Sequence, residues 1–581
     1  IPVAQTVIRG TTGYTLANIL FDASGSGEDI RVTTLQLTAT LDALTNANNV
    51  ASVVLYDGTT ALNTGSNVLN PTNNSTYCTG TTCDWTVSLD KNLVVTKGTT
   101  KTVTIKANIS ATATDQGTQS WGLKASPTVT ATGVSTGSTI TASGISTAQT
   151  GQVMTVATGG QYSVKLSSGT PQAQLLVANT TGNIMTKLLF YATSEAINVS
   201  KIKLGLTTGT SSGSDLGTIY LYDGATLLGS GVFPSLRGSP IVKGSTAFTD
   251  VHTDGQMVAK TASTTFSLTT PLNIPANTEK TVTIKADIAV IQTSATVANA
   301  GHDVRIDFIN TSNISDNTTY NVGTGTASGS QIGGFMTTAA TATTTAQTAA
   351  YILRSVPTVS KLALATNTLA NGSATPLYKF RVAADSHGDI DLYKVTFRIA
   401  TSSATAGLKL ITALNLIDVT AGQAETTVYA STCDDTQNAG LPATTDLEME
   451  LRASPGTWAA ALSGVTPRVI AAGSYRDFEL RATVASIETG SSITTQMQGD
   501  ANPTFLGAEA SWPAGTMASR LQAAATIDNI NRGAGATNGD EDFIWSDNSA
   551  ASHTASTLDW ANGYLVSGLP SSNLTAEVVS K

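Results

Sequence analysis

The chain has 581 residues, of which 12% are charged and 40% hydrophobic, and its formal net charge is −9. With only 31 Lys and Arg residues, it lacks the basic surface through which proteins bind nucleic acid phosphates, and its apolar content is too high for a disordered chain. Thr and Ser are abundant and Glu and Lys are scarce, which argues against a helical bundle and favours an all-β protein.

Both ends of the sequence are predicted to be β-strands, because apolar and polar residues alternate over residues 2–8 and 574–578. The sequence begins at Ile1 rather than Met, so we expect a secretory signal peptide to have preceded it. A strand at the edge of a sheet offers free N–H and C=O groups to a partner. We predict that residues 1–10 contact an adjacent subunit, with Val3 and Val7 buried there. The alternative is that this strand is the first strand of its own sandwich.

Cys78 and Cys83 flank a short loop, and we predict a local disulfide between them. A zinc site is the alternative, but no second pair of Cys or His accompanies these two residues. Cys433 is then unpaired, either as a buried thiol or in an intermolecular bridge. A disulfide would favour an extracytoplasmic location, and no run approaches the ~18 apolar residues of a membrane-spanning helix.

A hairpin-like stretch occurs three times and aligns without a gap. The stretches are residues 93–107, 272–286 and 468–482, and the first two share the run Lys-Thr-Val-Thr-Ile-Lys-Ala. Gly98, Asn277 and Gly473 occupy the same turn position, and Gly and Asn are the residues that tolerate the positive φ of a tight turn. The residues that follow alternate between apolar and polar, which predicts a strand with one buried face.

Three further elements recur upstream of this stretch in a fixed order. They are a strand that begins at a glycine (residues 13–23, 182–192 and 372–384), a strand with apolar residues at i, i+2, i+5 and i+7 (from Ile30, Ile197 and Ile390), and a strand at residues 53–58, 219–224 and 414–418. Strict alternation would place an apolar residue at i+4, so the second element is predicted to contain a bulge. The third ends in Asp-Gly in two copies, which predicts a hairpin.

The predicted fold is all-β, with three tandem Ig-like β-sandwich domains and a C-terminal extension on the third. We place the domains at residues 1–158, 159–350 and 351–581. The second boundary follows a Thr- and Ala-rich segment with the composition of a linker. Residues 517–532 are the one stretch predicted to be a helix, because their apolar residues fit a helical face in part.

Candidate catalytic and metal-binding residues are few. The four histidines are His252, His302, His387 and His553. None has a Cys, Glu or His at ligand spacing, and the Asp-Ser-His sequence at 385–387 is predicted to be a loop, because triads are assembled across a fold. We therefore predict that the protein is not an enzyme.

Two groups of side chains remain as candidate binding sites. Asp540, Glu541 and Asp542 form an acidic cluster, whose oxygen ligands would suit Ca²⁺; a solvated acidic loop is the alternative. Four tryptophans, at positions 85, 121, 545 and 560, could stack on sugars, although core packing is the commoner role of tryptophan.

The repeats, with their Lys-Thr-Val-Thr-Ile-Lys-Ala ending, resemble the Ig-like surface-layer and surface-repeat proteins of prokaryotes. The closing segments, residues 543–548 and 559–570, resemble the C-terminal region of large secreted proteins from ultra-small candidate-phylum bacteria. The resemblance implies an extracellular, structural protein of the cell surface without catalytic residues. No surface-layer homology anchor domain is recognisable in the sequence.

Repetition, low charge and this resemblance lead to one functional prediction. The chain is a self-assembling subunit of a prokaryotic surface layer or extracellular filament, with copies of itself as partners and cell-envelope glycans as further candidates. The alternative is an adhesin or carbohydrate-binding surface protein, which would need exposed aromatic side chains, and aromatic residues make up only 6% of the sequence.

Overall fold

A computed structural model describes most of the chain. The described residues are 2–42, 47–72, 76–125, 129–141, 149–206, 213–234, 263–291, 300–309, 320–336, 350–405, 411–432, 447–452, 468–501, 503, 542–550, 557, 559–569 and 574–581. Within these ranges the regular structure is β-strand apart from three short 3₁₀ turns, Ala47–Asn49, Gly65–Asn67 and Gly213–Asp215, and one helical residue, Tyr320, so the all-β prediction is confirmed. None of these turns could span a membrane. The helix predicted at 517–532 lies outside the described residues.

The strands fall into three consecutive groups, which we call the first, second and third repeats. The first repeat contains β1 (Gln5–Ile8), β2 (Tyr14–Asp22), β3 (Ile30–Leu41), β4 (Val50–Asp57), β5 (Thr60–Ala61), β6 (Cys78–Thr79), β7 (Thr82–Val95), β8 (Thr100–Ile109), β9 (Thr118–Leu123), β10 (Val129–Gly133), β11 (Thr139–Thr141), β12 (Gln149–Thr150) and β13 (Met154–Ala157).

The second repeat contains β14 (Gln161–Leu166), β15 (Gln174–Val177), β16 (Asn183–Thr193), β17 (Ile197–Leu206), β18 (Leu216–Asp223), β19 (Thr226–Gly231), β20 (Ser263–Ile274), β21 (Glu279–Ile288), β22 (His302–Val304), β23 (Ile306–Phe308), β24 (Val322–Gly325), β25 (Gln331–Gly333), β26 (Phe335–Met336) and β27 (Ala350–Leu353).

The third repeat contains β28 (Pro357–Leu362), β29 (Gly372–Ala384), β30 (Ile390–Ser402), β31 (Ile411–Asp418), β32 (Thr426–Thr432), β33 (Leu447–Arg452), β34 (Arg468–Ile470), β35 (Tyr475–Val484), β36 (Ser492–Met497), β37 (Phe543–Ser546), β38 (Trp560–Asn562) and β39 (Glu577–Ser580).

One sheet of each repeat has the same strand order. It runs β2-β8-β4-β5 in the first repeat, β16-β21-β18-β19 in the second and β29-β35-β31-β32 in the third. Its strands are the glycine-led strand, the strand after the shared turn and the strand that ends in a hairpin, all three of which the repeated sequence patterns predict. The pairing is antiparallel throughout, which is common in sheets with one solvent-exposed and one buried face.

The predicted turns and bulges are confirmed. φ is +72° at Gly98, +55° at Asn277 and +66° at Gly473. The second recurring strand changes register once in each repeat: between Val32 and Thr34 against β7, between Val199 and Lys201 against β20, and between Leu392 and Lys394 against β37. The extra residue restores the inward direction of the later apolar side chains, which is why they follow at i+5 and i+7.

A short parallel strand pair brings the start and the end of each of the first two repeats together. β1 is parallel to β13, with Ile8 opposite Ala157, and β15 is parallel to β27, with Val177 opposite Leu353. The strands of each pair lie far apart in sequence, so no local pattern predicts them. In the third repeat, Thr368 forms a single parallel bridge with Ser580.

Buried side chains form three hydrophobic clusters, which follow the repeats except that Ala300 and part of β27, from the second repeat, belong to the third cluster. Ala350 and Ile352 of β27 belong to the second cluster, whereas Tyr351 and Leu353 belong to the third. Because successive side chains of a strand point to opposite faces, β27 contributes to two cores at once. The domain boundary drawn after residue 350 therefore falls inside this strand.

Candidate functional site

The acidic segment predicted to bind calcium lies at the margin of the described residues. Asp540 and Glu541 fall outside them, whereas the backbone N–H of Asp542 donates to Oδ1 of Asp500 at 2.7 Å. Oδ2 of the buried Asp500 also accepts the N–H of Gly563 at 2.7 Å, so this carboxylate holds two chain segments together. Within the described ranges no group of three or more His, Cys, Asp or Glu could hold a metal ion. Calcium binding at residues 540–542 stays a prediction.

Cys78 and Cys83 lie opposite each other in the β6–β7 hairpin. The structure joins them by a disulfide, with the two sulfur atoms 2.04 Å apart and the Cα atoms 4.0 Å apart. Cys83 is buried in the first cluster. The oxidation state of the purified protein stays a prediction, and Cys433 lies outside the described residues.

The N-terminal strand pairs within its own repeat, which differs from the intersubunit contact that we expect for Val7. β1 lies beside β13, and Val7 is 2% exposed in the first hydrophobic cluster. The free N–H and C=O groups of this strand are therefore met on one side by β13, the last strand of the same repeat. Val3 precedes β1 and is 72% exposed, so of the two valines only Val3 is available to a neighbouring subunit. At the other end of the chain, β39 pairs with β36.

The four tryptophans considered as sugar platforms are core residues. Trp85 and Trp121 stack with ring centroids 5.2 Å apart in the first cluster. Trp545 is fully buried and donates its Nε1–H to the carbonyl of Asn562 at 2.8 Å. Trp560 is buried against Tyr393, edge to face. Their burial leaves none of these faces open to a sugar.

The two described histidines each contact an aspartate. Nδ1 of His387 lies 2.6 Å from Oδ1 of Asp385, and the same oxygen accepts the backbone N–H of His387 at 2.9 Å. This is a local turn contact, as the sequence predicts for the Asp-Ser-His segment. Nδ1 of His302 lies 3.0 Å from Oδ2 of Asp215, which links β22 to the 3₁₀ turn ahead of β18.

A glutamate two residues before the bulged strand caps a tight turn in the second repeat. Oε2 of Glu195 accepts the backbone N–H groups of Ala327 and Ser328 at 2.9 and 3.0 Å. Oε1 accepts the hydroxyl of Ser328 at 2.8 Å. The turn follows β24, so one carboxylate fixes the geometry between two strands that are distant in sequence.

The first repeat contains the same device. Oε2 of Glu28 accepts the N–H groups of Ser135 and Thr136 at 2.8 and 2.9 Å, and Oε1 accepts the hydroxyl of Thr136 at 2.6 Å. These hydrogen bonds hold the pKa of Glu28 below its usual range, because they stabilise the ionised form.

The capped turns share a sequence signature that the sequence analysis missed. Residues 133–138 and 325–330 both read Gly-x-x-x-Gly-Ser. The first glycine is required by contact, because a Cβ at Gly133 or at Gly325 would lie 2.2 or 2.3 Å from the carboxylate of Glu28 or Glu195. The signal is present in the sequence, but the glutamate and its turn are separated by several strands, so repeat alignment alone does not connect them.

The capped turn of the second repeat receives the end of the first repeat. Oε1 of Glu195, which is 4% exposed, accepts a further hydrogen bond from the N–H of Gly160 at 2.7 Å. The hydroxyl of Ser330 donates to the carbonyl of Thr158 at 3.1 Å. A Cβ at Gly10 would lie 2.4 Å from the carbonyl oxygen of Ala327. The close backbone approach and the buried carboxylate define the first junction.

The second junction is built at the equivalent place with different side chains. Arg354 follows β27 as Thr158 follows β13. Its backbone N–H donates to Oδ2 of Asp547 at 2.7 Å, and its guanidinium donates to the carbonyl of Asn548. The next residue, Ser355, donates its hydroxyl to the carbonyl of Gly388 at 2.7 Å.

Asp547 is the most strongly perturbed carboxyl group at this junction. It is fully buried, and its Oδ1 accepts the N–H and the hydroxyl of Ser549 at 3.1 and 2.6 Å. Burial raises the pKa of Asp547 to about 6, against the opposing effect of the hydrogen bonds from Ser549 and Arg354; the neighbouring charge of Asp559 adds to the rise. The protonation of this group is therefore coupled to the fit between the second and third repeats.

No protein family model matches the chain, and no curated protein matches it. Among solved structures, it is similar to a Corynebacterium diphtheriae protein described as membrane anchored, with 12% identity over 86% of this chain and 85% of that chain and a TM-score of 0.16. It is also similar to the C-terminal domain of the AgI/II polypeptide BspA of Streptococcus agalactiae, with 8% identity over 58% of this chain and 95% of that chain and a TM-score of 0.13. TM-scores this low do not establish a common fold, so neither protein says what this chain does.

Proposed function

We propose that this protein is a non-catalytic structural component of a prokaryotic cell surface. The observation that carries the proposal is the repeated junction: Ser330 of the second repeat donates to the carbonyl of Thr158 at the end of the first, and Arg354 at the end of the second repeat donates its N–H to Asp547 of the third. β27 adds a strand that is shared by two cores. Flexibly tethered domains need only an exposed linker, whereas a structural element that keeps a fixed spacing or transmits force needs such coupling.

Self-assembly into a layer or a filament is the finer part of this proposal. β1 has β13 on one side and stands at the end of its sheet, and Val3 beside it is exposed. An open strand edge with a free apolar residue can add to a neighbouring subunit through main-chain hydrogen bonds. Copies of the same chain are then the partners, in an extracellular location.

Negative-stain electron microscopy of the purified chain at rising concentration tests this function. We expect sheets or filaments from the full chain. A variant that lacks residues 1–4 is the matched test, because it removes Val3 and leaves β1 paired with β13; we expect it to stay folded and monomeric. Deletion of residues 1–9 is less informative, since it also removes the buried Val7.

Monodisperse particles from the full chain at all concentrations would contradict self-assembly. In that case, saturable binding on a glycan array would favour the adhesin alternative. Unchanged assembly of the shortened variant would show that Val3 has no part in the contact.

A further inference from the structure

The sheet β2-β8-β4-β5 of the first repeat, called the hairpin sheet below, has four strands in the described part of the chain, whereas its equivalents have six and five. In the second repeat β14 pairs antiparallel with β16, and in the third β28 pairs antiparallel with β29. β2 is the equivalent of β16 and β29, and in the described part of the chain its ladder partner is β8 alone. The outer edge of β2 is the place where the other two repeats carry an additional strand.

The backbone of β2 presents hydrogen-bonding groups at that edge. The N–H and C=O of Ala23 bond to Thr99 and Gly98 on the β8 side. Because the direction alternates along a strand, the groups of Leu20 and Asp22 point to the open edge. In the second repeat the equivalent edge of β16 is occupied by β14, and its pairing is continued by the N–H of Ser167, which donates to the carbonyl of Lys187 at 2.9 Å.

Side chains of β2 are also more exposed than their equivalents in the second repeat, where a further strand is paired. Phe21 lies opposite Lys101, as Phe190 lies opposite Lys280 in the aligned strand pair. Phe190 is fully buried under the added strand, whereas Phe21 is half-buried. Leu20 is 64% exposed, which is a large apolar exposure for a position on a sheet edge.

The two occupied edges show what fits there. Val164 of β14 lies opposite Phe190, and Val359 of β28 lies opposite Val382, at the same position of the aligned sheets. Both valines are buried, and the residues that flank them along the strand are more exposed. The occupant is therefore a single extended strand, antiparallel to β2, whose apolar residue lies opposite Phe21.

We propose that the open edge of β2 is a strand-acceptor site that binds an extended segment of another protein chain in the manner of β14 and β28. Main-chain hydrogen bonds to Leu20 and Asp22 would supply affinity, and the apolar residue opposite Phe21 would set the register. This inference goes beyond the structural function proposed above and does not depend on it, because that function concerns β1 and the junctions.

The test uses the full chain and a synthetic peptide with the sequence of residues 160–168, which includes β14. We expect saturable binding and slowed amide hydrogen exchange over residues 18–22. A control peptide with Asp in place of Tyr162 and Val164 should not bind, since both of these side chains are buried in the second repeat.

The matched protein variant is Leu20→Pro, which removes an N–H that points to the open edge. Proline is tolerated on edge strands at such positions, and loss of one hydrogen bond together with the proline ring should weaken peptide binding at least about fivefold. If Leu20→Pro lowers the melting temperature, the hydrogen-exchange measurement on the unmodified protein still decides the question.

A fusion distinguishes a partner from the protein's own polypeptide. Residues 161–173 are copied directly ahead of Gln5, because β15 follows β14 at that spacing and is the equivalent of β1. Protection of residues 18–22 by the free peptide supports the proposal. Protection in the fusion alone would assign the strand to the same chain and overturn a separate partner. Protection that appears without peptide and rises with protein concentration would indicate pairing between two copies, and would overturn it as well. Absence of protection in every arm would show that the edge accepts no strand.

Discussion

Replacement of Glu195 by Gln tests whether the capped turn holds the first and second repeats together. Each carboxylate oxygen of Glu195 accepts two hydrogen bonds: Oε2 from Ala327 and Ser328, and Oε1 from Ser328 and Gly160. Glutamine keeps one acceptor oxygen, so Glu195→Gln loses two hydrogen bonds to a buried side chain. At about 1.5 kcal/mol each, the loss in unfolding free energy is about 3 kcal/mol.

Glu28→Gln is the matched control. Glu28 caps the equivalent turn through three hydrogen bonds, but this turn is exposed to solvent, so we expect a smaller loss. Differential scanning calorimetry measures the transition temperatures of the two variants. For a folding unit of this size, 3 kcal/mol corresponds to a fall of about 6–12 °C in the transition of the second repeat.

Hydrogen exchange supplies the local measurement. Glu195→Gln should speed exchange of the N–H groups of Gly160, Ala327 and Ser328 together, because one carboxylate holds all three. If Glu195→Gln lowers the transition temperature no more than Glu28→Gln does, the contact between the first two repeats has no energetic role and our account of the junction is wrong.

Three further predictions concern single positions. Gly98→Val should lower the unfolding free energy by about 1–3 kcal/mol through positive φ alone, since a Cβ there meets nothing within 4 Å; Gly98→Asn should cost less because Asn277 occupies the same turn, and urea titration of both variants that shows equal stabilities would contradict this. Mass spectrometry without reductant should find Cys78 and Cys83 two hydrogens lighter than the dithiol, whereas two free thiols on freshly secreted protein would refute the disulfide. The raised pKa of Asp547, about 6, should destabilise the folded chain as pH rises from about 4 through 6, by about 3 kcal/mol at pH 7. Asp547→Asn should remove that loss. If the urea midpoint shifts equally between pH 4.5 and 7 in the variant and the unmodified protein, Asp547 is not the source of the pH dependence.

The hairpin sheet could be predicted from the sequence because the patterns that specify its turns and bulges are local. The turn at Gly98, Asn277 and Gly473 and the bulge after Val32 leave their mark within a dozen residues, as a special backbone residue or a break in alternation. These signals occur in all three repeats, so the structure predicted from one copy can be compared with that predicted from the other two.

Features that depend on distant residues could not be predicted in the same way. The parallel pairing of β1 with β13, which buries Val7, joins the two ends of a repeat. The capping of a turn by Glu28 or Glu195 joins residues that lie 107 or 132 positions apart in the sequence. In both cases the partner is chosen by tertiary packing, and the local alternation of β1 is equally compatible with an external partner.

Because β27 contributes side chains to two hydrophobic cores, the changes of sequence length that it can accept during evolution are restricted. Insertion or deletion of one residue within the strand would rotate the side chains that follow it by half a turn, and would send Tyr351 and Leu353 toward the core that now holds Ala350 and Ile352. A single insertion or deletion would therefore disrupt the packing of both hydrophobic cores. Duplication or exchange of repeats is therefore expected to have its breakpoints outside this strand.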